Sequence, residues 1–156
     1  MEGEVIKALS LRQRWAWLVA RGFKPIENRS WDTKYRGRFL IHASKSEEQL
    51  DGLDEAWILE RLEPYQVAEY RTARIDYGAI IGAGTVVDCV NSAYEIERRY
   101  GHEYDVKWYA GLHGLIVVNA VLYDVVIPCR GALGFFVPML TAEGLAVLNE
   151  QRRKYG

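Results

Sequence analysis

The chain has 156 residues, of which 49% are hydrophobic and 12% aromatic, and this supplies apolar material for one core of common domain size. No run approaches the roughly 18 apolar residues that a membrane span needs, and the acidic start MEGEV differs from the basic-then-apolar pattern of a secretory signal. The sequence therefore predicts a single domain over residues 1–156 in the cytoplasm, with no membrane contact.

Charge is distributed unevenly along the chain. The formal net charge is -1, yet residues 5–45 hold ten Lys or Arg against two acids, Glu27 and Asp32. Because a local excess of positive charge attracts polyanions, this segment predicts a basic face that favours RNA or nucleotides as partners. A solvated surface without a ligand is the alternative.

The first predicted elements are a strand and a helix. Glu4 to Leu9 reads as a short strand, and Ser10 followed three residues later by Gln13 has the pattern of a capping box. We therefore expect a helix over residues 11–21, ended by Gly22 in a left-handed conformation. Its apolar spacing predicts that Trp15 faces the core, whereas Trp17 lies to another side.

The segment KPIENRSW follows the helix and is predicted to be extended, since Pro25 disfavours helix at Lys24. A buried strand over residues 38–44 comes next. Ser46 and Gln49 repeat the capping-box spacing, and two helices are expected, one ending near Glu63 and one from Pro64 to about Arg74.

The second half of the chain is rich in predicted strands. GAIIGAGTVVDCV, residues 78–90, reads as a glycine-interrupted strand that bends at a barrel corner, and it lacks the spacing and the following helix of a phosphate-binding loop. A short charged helix, an aromatic loop, the strand HGLIVVNAVLYD, a strand VVI, a turn, a final strand near residue 135 and a helix capped by Thr141 follow. Because strands and helices do not alternate regularly, the expected fold is α+β, around a small mixed β-barrel of about six strands.

Four blocks of the sequence carry a family resemblance: SLRQRWAWL at 10–18, GFKPIENR at 22–29, YRGRFLIHAS at 35–44 and IPCRGALGFF at 127–136. Together they resemble the ASCH domain family. Its signature Gly-x-Lys-x-x-Glu-x-Arg is matched with every spacing kept by Gly22, Lys24, Glu27 and Arg29. The resemblance implies a PUA-like six-stranded barrel, with residues 46–75 as a helical insertion, and a cleft beside the first helix that holds RNA or a nucleotide.

The resemblance also bears on catalysis. Some small family members are similar to amidohydrolases that cleave an acyl group from a modified cytidine with a Lys, a Thr three residues later and a distant Glu. Here Glu27 stands at the Thr position, so the hydroxyl nucleophile of that scheme is missing. Lys24 as base or electrostatic stabiliser with Glu27 as its partner is therefore a conditional catalytic pair.

The expected ligand contacts follow from residue chemistry. Lys24 and Arg29 suit phosphate or carboxylate groups, and Trp31 suits stacking on a base. The alternative for Lys24, Glu27 and Arg29 is an ion network that pins the loop to the barrel. The full predicted set of ligand-binding residues is Gln13, Lys24, Arg29, Trp31, Arg36, Arg38, His42, Ser44 and Arg130.

Histidine and cysteine receive weaker assignments. His42 lies within an apolar strand, where a satisfied interior histidine is the favoured interpretation, although Ser44 shares its face and both reach the cleft if that face lines it. A metal site from His42, His113, Cys89 and Cys129 needs dispersed residues to converge, so neither a metal nor another cofactor is predicted. Cys89 and Cys129 are interpreted as reduced thiols, with a bridge as the alternative.

Three functions remain open at this point. The leading interpretation is a domain that binds RNA or a nucleotide. The first alternative is a hydrolase that acts on RNA or on a modified nucleoside. The second is a module that recognises a partner protein.

Overall fold

The computed structural model describes residues 5–46 and 50–156 and places six strands and five α-helices within them. They run in the order β1 (Lys7–Leu11), α1 (Trp15–Ala20), β2 (Ile26–Arg29), β3 (Gly37–Ala43), α2 (Gly52–Arg61), α3 (Pro64–Thr72), β4 (Ala79–Val90), α4 (Ala93–Tyr100), β5 (His113–Pro128), β6 (Phe135–Phe136) and α5 (Ala142–Tyr155). A short 3-10 helix spans Val106–Trp108.

All six strands form one curled sheet in the order β2-β5-β4-β3-β1-β6. β1 and β3 pair in parallel, whereas the remaining pairs are antiparallel. The α+β class and the mixed six-stranded sheet are therefore confirmed, with the sheet curled into a half-barrel.

The glycines of β4 permit a close approach between strands. A Cβ on Gly82 would lie 2.2 Å from the carbonyl oxygen of Val121 on β5. Since no side chain fits there, Gly82 is required where β4 crosses β5, and the register shifts on both sides of this residue. The predicted bend in this strand is thus explained by backbone contact.

The predicted helix over residues 11–21 is wrong at its start. Ser10 and Leu11 belong to β1, because they pair in parallel with His42 and Ala43 of β3. The helix begins at Trp15, and the side chain of Gln13 accepts a hydrogen bond from the Trp17 backbone N–H. The side chain of Gln13 therefore accepts from a free N–H group in the first turn of α1, the role that was predicted for Ser10.

The end of the same helix agrees with the prediction. Gly22 has φ +78°, and the backbone N–H groups of Phe23 and Lys24 donate to the Leu18 carbonyl. Trp17, however, is buried, whereas Trp15 is only partly buried. The placing of Trp17 to another side is therefore wrong, since residues 16–20 of α1 are all buried, whereas Trp15 packs against a core cluster as predicted.

The remaining differences concern element ends. The predicted strands HGLIVVNAVLYD and VVI are one continuous strand, β5, with Asn119 at φ +51° within it. The predicted cap at Ser46 and Gln49 involves a residue outside the described ranges, and α2 is instead capped by Asp51, whose side chain accepts from Asp54 N–H. Thr141 caps α5 as expected.

Helices α2 and α3 cover one side of the half-barrel. Trp17, Ile26 and Trp108 share a core cluster with Ile58 of α2 and Tyr70 of α3. α2 and α3, called the helical insertion from here on, are thereby held beside β2 and cover that strand. Within the described ranges, every helix is too short or too polar to cross a membrane.

Candidate functional site

The signature residues Gly22, Lys24, Glu27 and Arg29 lie in the turn after α1 and in the strand β2 that follows it. Because Gly22 adopts the left-handed conformation that ends α1, the chain turns back, and Lys24 lies between α1 and β2 with its backbone N–H bonded to the Leu18 carbonyl. Glu27 and Arg29 follow at alternate positions in β2 and so share one face of that strand. β2 pairs with β5, which fixes Glu27 opposite Leu115 and Arg29 opposite His113.

Glu27 joins the two cations into a network. Its Oε1 lies 3.5 Å from Lys24 Nζ, and its Oε2 accepts a 2.8 Å hydrogen bond from Arg29 Nε. Lys24 Nζ also donates a short hydrogen bond to the Ile26 carbonyl, and Arg29 Nη2 donates to the Ser10 carbonyl at 2.8 Å. The network therefore ties β2 to the end of β1.

The members of this network differ in exposure. Lys24 is 2% exposed and Glu27 7%, whereas the side chain of Arg29 is 21% exposed. Burial lowers the pKa of Lys24, and the charge and hydrogen bond of Glu27 oppose that shift. The Lys24–Glu27 pair is accordingly a buried ion pair, with Arg29 as its solvent-facing member.

A cleft of about 610 Å³ opens above this network. The cleft is lined by Ser10, Arg12, Trp15, Lys24, Glu27, Asn28, Arg29, Ser30, Trp31, Leu53, Asp54, Trp57 and Ala110. It lies between β2 and the helical insertion, so that the end of β1 and α2 form opposite sides.

Three tryptophans surround the charged floor of the cleft. Lys24 Nζ lies 5.5 Å from the centre of the Trp15 ring, and Arg29 Cζ lies 5.7 Å from that of Trp31. Trp57 of α2 meets Trp15 edge to face, with 5.8 Å between ring centres. Aromatic faces and cations are thus combined in one concave site.

Several residues of the cleft were not among the predicted contacts, and three of them have a clear part in the site. Asn28 holds the loop after the 3-10 helix, since its Nδ2 donates to the Trp108 carbonyl at 3.0 Å and its Oδ1 accepts from Ala110 N–H at 2.9 Å. Trp57 lies in the first of the two helices predicted after β3, and no role in the site was assigned to it. Arg12 was counted only as part of the basic segment, and its place in the cleft depends on β1 extending to Leu11.

Two predicted contact residues are buried outside the cleft. Gln13 donates to the Asp76 carbonyl and accepts from Trp17, so its amide holds α1 to the chain before β4. His42 is 1% exposed; its Nε2 donates to the Cys129 carbonyl, and its Nδ1 consequently accepts from the Ser10 hydroxyl. Both are satisfied interior groups, and the alternative in which His42 reaches the cleft is wrong.

Four further predicted contact residues lie away from the cleft as well. Arg36 donates to the Thr33 and Tyr35 carbonyls, and Arg38 to Thr85 and to the Asn119 carbonyl. Ser44 follows β3, and its hydroxyl oxygen is buried without a hydrogen-bond partner among the described residues. Arg130 is exposed and lines a separate depression near Tyr77.

The basic segment does not form one face. Arg21 pairs with Glu69 of α3, and Arg14 donates to the Tyr70 carbonyl. Arg36 pairs with Asp88 at 3.7 Å. The prediction of a single basic face is therefore wrong, since these three cations contact α3 and β4 and do not gather at the cleft. Three cations, Arg12, Lys24 and Arg29, remain together at the cleft.

Fold and site define the class of protein: an α+β domain with a half-barrel sheet and a cleft between sheet and helical insertion. The family model described as "ASCH domain" matches residues 9–122. The chain belongs to the ASCH domain family, a family associated with RNA binding. The block at 127–136 lies beyond the matched residues.

Individual proteins are similar to this chain in sequence or in structure. Activating signal cointegrator 1 from Homo sapiens and that from Mus musculus are each 34% identical to this chain over 85 residues. The match covers 53% of this chain and 14% of each relative. A crystal structure of ASCH from Zymomonas mobilis is similar over 92% of this chain and 93% of its own, with a TM-score of 0.48 and 13% identity.

Proposed function

We propose that this protein binds RNA or a nucleotide in the cleft, one unpaired nucleotide at a time. The observation that carries the proposal is the Lys24–Glu27–Arg29 network on the floor of a 610 Å³ cleft walled by three tryptophans. This volume is within the range of small-molecule sites, and a base needs an aromatic face beside a place for phosphate.

Charge in the cleft supports an anionic ligand of modest size. Arg12, Lys24 and Arg29 contribute three positive charges, and Glu27 and Asp54 contribute two negative ones. The lining thus carries one more positive than negative charge, which favours an anionic group such as a phosphate. A single phosphate suits this arrangement better than a long duplex backbone, which requires a broad basic surface.

Aromatic side chains supply the place for a base. Trp31 is partly buried and is supported at its edge by Phe135, with ring centres 6.1 Å apart. Arg29 lies over the same ring. Trp57 is fixed between Trp15 and Trp108. Because both rings are held by neighbours before a ligand arrives, stacking costs little side-chain entropy.

The geometry favours binding over turnover. Although burial lowers the pKa of Lys24, its Nζ donates to the Ile26 carbonyl and to Glu27, and both contacts oppose deprotonation. A general base must instead present a lone pair to the substrate. Lys24 and Glu27 thus hold Arg29 in place and set the charge of the floor.

A binding measurement with Trp31→Ala tests the proposal. Loss of one stacked base costs about 1 to 3 kcal/mol, so the affinity for a short single-stranded RNA is expected to fall by roughly 5- to 150-fold. Fluorescence anisotropy of the labelled RNA gives the dissociation constants. Tyr94→Ala is the matched control, since Tyr94 is a 70% exposed aromatic residue on α4, outside the cleft. Equal affinities of wild type and Trp31→Ala, with both folded, would refute base stacking at Trp31.

A further inference from the structure

A cluster of side chains of metal-binding types lies outside the residues that line the cleft. Among residues 5–46 and 50–156, Asp32, Cys89 and His113 each offer a donor atom, and these atoms all lie within 4.8 Å of one another. Asp32 is exposed, whereas Cys89 and His113 are partly buried. The three residues come from the loop after β2, from β4 and from β5.

The sheet register explains why Cys89 and His113 meet. Cys89 pairs with Leu115, and His113 lies two residues before Leu115 on β5, so both side chains leave the same face as diagonal neighbours. Gly114 separates the two positions on β5 and pairs with Val90. The neighbouring strands thus bring a thiol and an imidazole together although 24 positions separate them in the sequence.

Asp32 is brought to the same place by the other neighbour of β5. Arg29 pairs with His113, and the chain then turns so that Asp32 Oδ1 lies 4.0 Å from His113 Nδ1. The same Oδ1 accepts from Thr33 N–H at 2.8 Å, which orients the carboxylate. The donor atoms therefore come from three separately fixed backbone segments.

We propose that Asp32, Cys89 and His113 bind a transition metal ion of the Zn²⁺ type, with a fourth position open to water or another ligand. One thiolate, one imidazole and one carboxylate are ligands that Zn²⁺ and Co²⁺ accept and that Mg²⁺ and Ca²⁺ do not favour as a set. A tetrahedral ion with bonds of about 2.0–2.3 Å holds its ligand atoms roughly 3.3–3.8 Å apart. The three donors, within 4.8 Å of one another, need to move by roughly 1 Å to reach that spacing.

Such an ion would fix the loop that carries a cleft residue. Asp32 directly follows Trp31, and Arg29 is the strand partner of His113. Metal binding is thus expected to order the Trp31 loop without touching the cleft. The metal site is a separate property from the proposed binding of RNA or a nucleotide, and each can fail without the other.

Titration of the full chain with Co²⁺ tests this proposal, because thiolate-bound Co²⁺ has a charge-transfer absorption. We expect that absorption to saturate at one ion per chain, to disappear on addition of Zn²⁺ and to persist in excess Mg²⁺. Cys89→Ser and His113→Asn should each weaken Co²⁺ binding by more than the roughly 10- to 100-fold that partners of metal ligands contribute.

Matched controls exist for both ligand types. Cys129 is the other free, partly buried cysteine, and His102 is an exposed histidine. Cys129→Ser and His102→Asn should leave the cobalt spectrum unchanged. The proposal is overturned if no thiolate absorption appears, if it survives in Cys89→Ser, or if the Cys129→Ser variant loses it equally. Circular dichroism of each variant establishes that the fold is retained.

Discussion

Replacing Arg12 and Arg29 together by alanine is expected to weaken binding of short single-stranded RNA by at least about 100-fold. The reason is that each removes a cation from the floor of the cleft, and a hydrogen bond to a charged group contributes about 1.5 to 3 kcal/mol. The salt dependence should flatten as well. Because both arginines are proposed to flank one phosphate, the slope of log K against log salt should fall by about 0.7 for a single strand.

The matched control for this pair is Arg36→Ala with Arg38→Ala. It removes the same charge from the same basic segment, yet Arg36 and Arg38 are outside the cleft. We expect the control to retain most of the affinity. Equal loss in both double variants would show that RNA responds to the overall charge, and that the cleft is not the binding site.

Glu27→Gln is expected to destabilise the fold by about 3 kcal/mol, the lower end of the range for breaking a buried ion pair. The change keeps the size of the side chain but removes the charge that faces the buried Lys24 ammonium. The second change Lys24→Met should restore most of the loss, because it removes the uncompensated charge. Urea denaturation of the single and double variants measures both effects.

Alkaline pH should also reduce the loss of stability caused by Glu27→Gln. Burial lowers the pKa of Lys24 below its ordinary 10.5, and Glu27 opposes the shift, so removing the Glu27 charge lowers the folded-state pKa further. The unfolded chain then binds more protons than the folded one between the lowered pKa and 10.5, and the free energy of unfolding rises with pH across that window. The deficit of Glu27→Gln should therefore be smaller at alkaline than at neutral pH.

An exposed ion pair provides the comparison for Glu27→Gln. Arg21 and Glu69 are 2.8 Å apart, the same distance as Arg29 and Glu27, but their side chains are 41% and 44% exposed. Glu69→Gln should cost less than about 1 kcal/mol. If Glu27→Gln costs no more than Glu69→Gln, the network is not a buried ion pair and does not fix Arg29.

The sequence predicted the fold class because periodicity, glycine and proline act locally. The extended segment at Ile26–Arg29 followed from Pro25, and the end of α1 followed from Gly22. The beginning of α1 was misplaced because Ser10 and Leu11 are held by parallel pairing with β3, a contact between residues 32 positions apart. A local capping pattern contains no information about such a partner.

The same distinction applies to the site. The spacing of Lys24, Glu27 and Arg29 indicated a common location, and the structure brings them into one network. Arg36 and Arg38 were grouped with them by charge alone, whereas their hydrogen bonds to loop carbonyls and to Asn119 direct them elsewhere. Trp57 enters the cleft only because α2 packs over β2, which depends on tertiary contacts of the insertion.

A crystal structure of the protein soaked with a nucleoside monophosphate would show directly whether the cleft binds a nucleotide. We predict that its phosphate lies within hydrogen-bond distance of Arg12 or Arg29 and that its base lies against Trp31 or Trp57. A nucleotide bound beside Arg36 and Arg38, or in the depression near Arg130, would show that the cleft is not the binding site. So would an empty cleft at a concentration that saturates binding in solution.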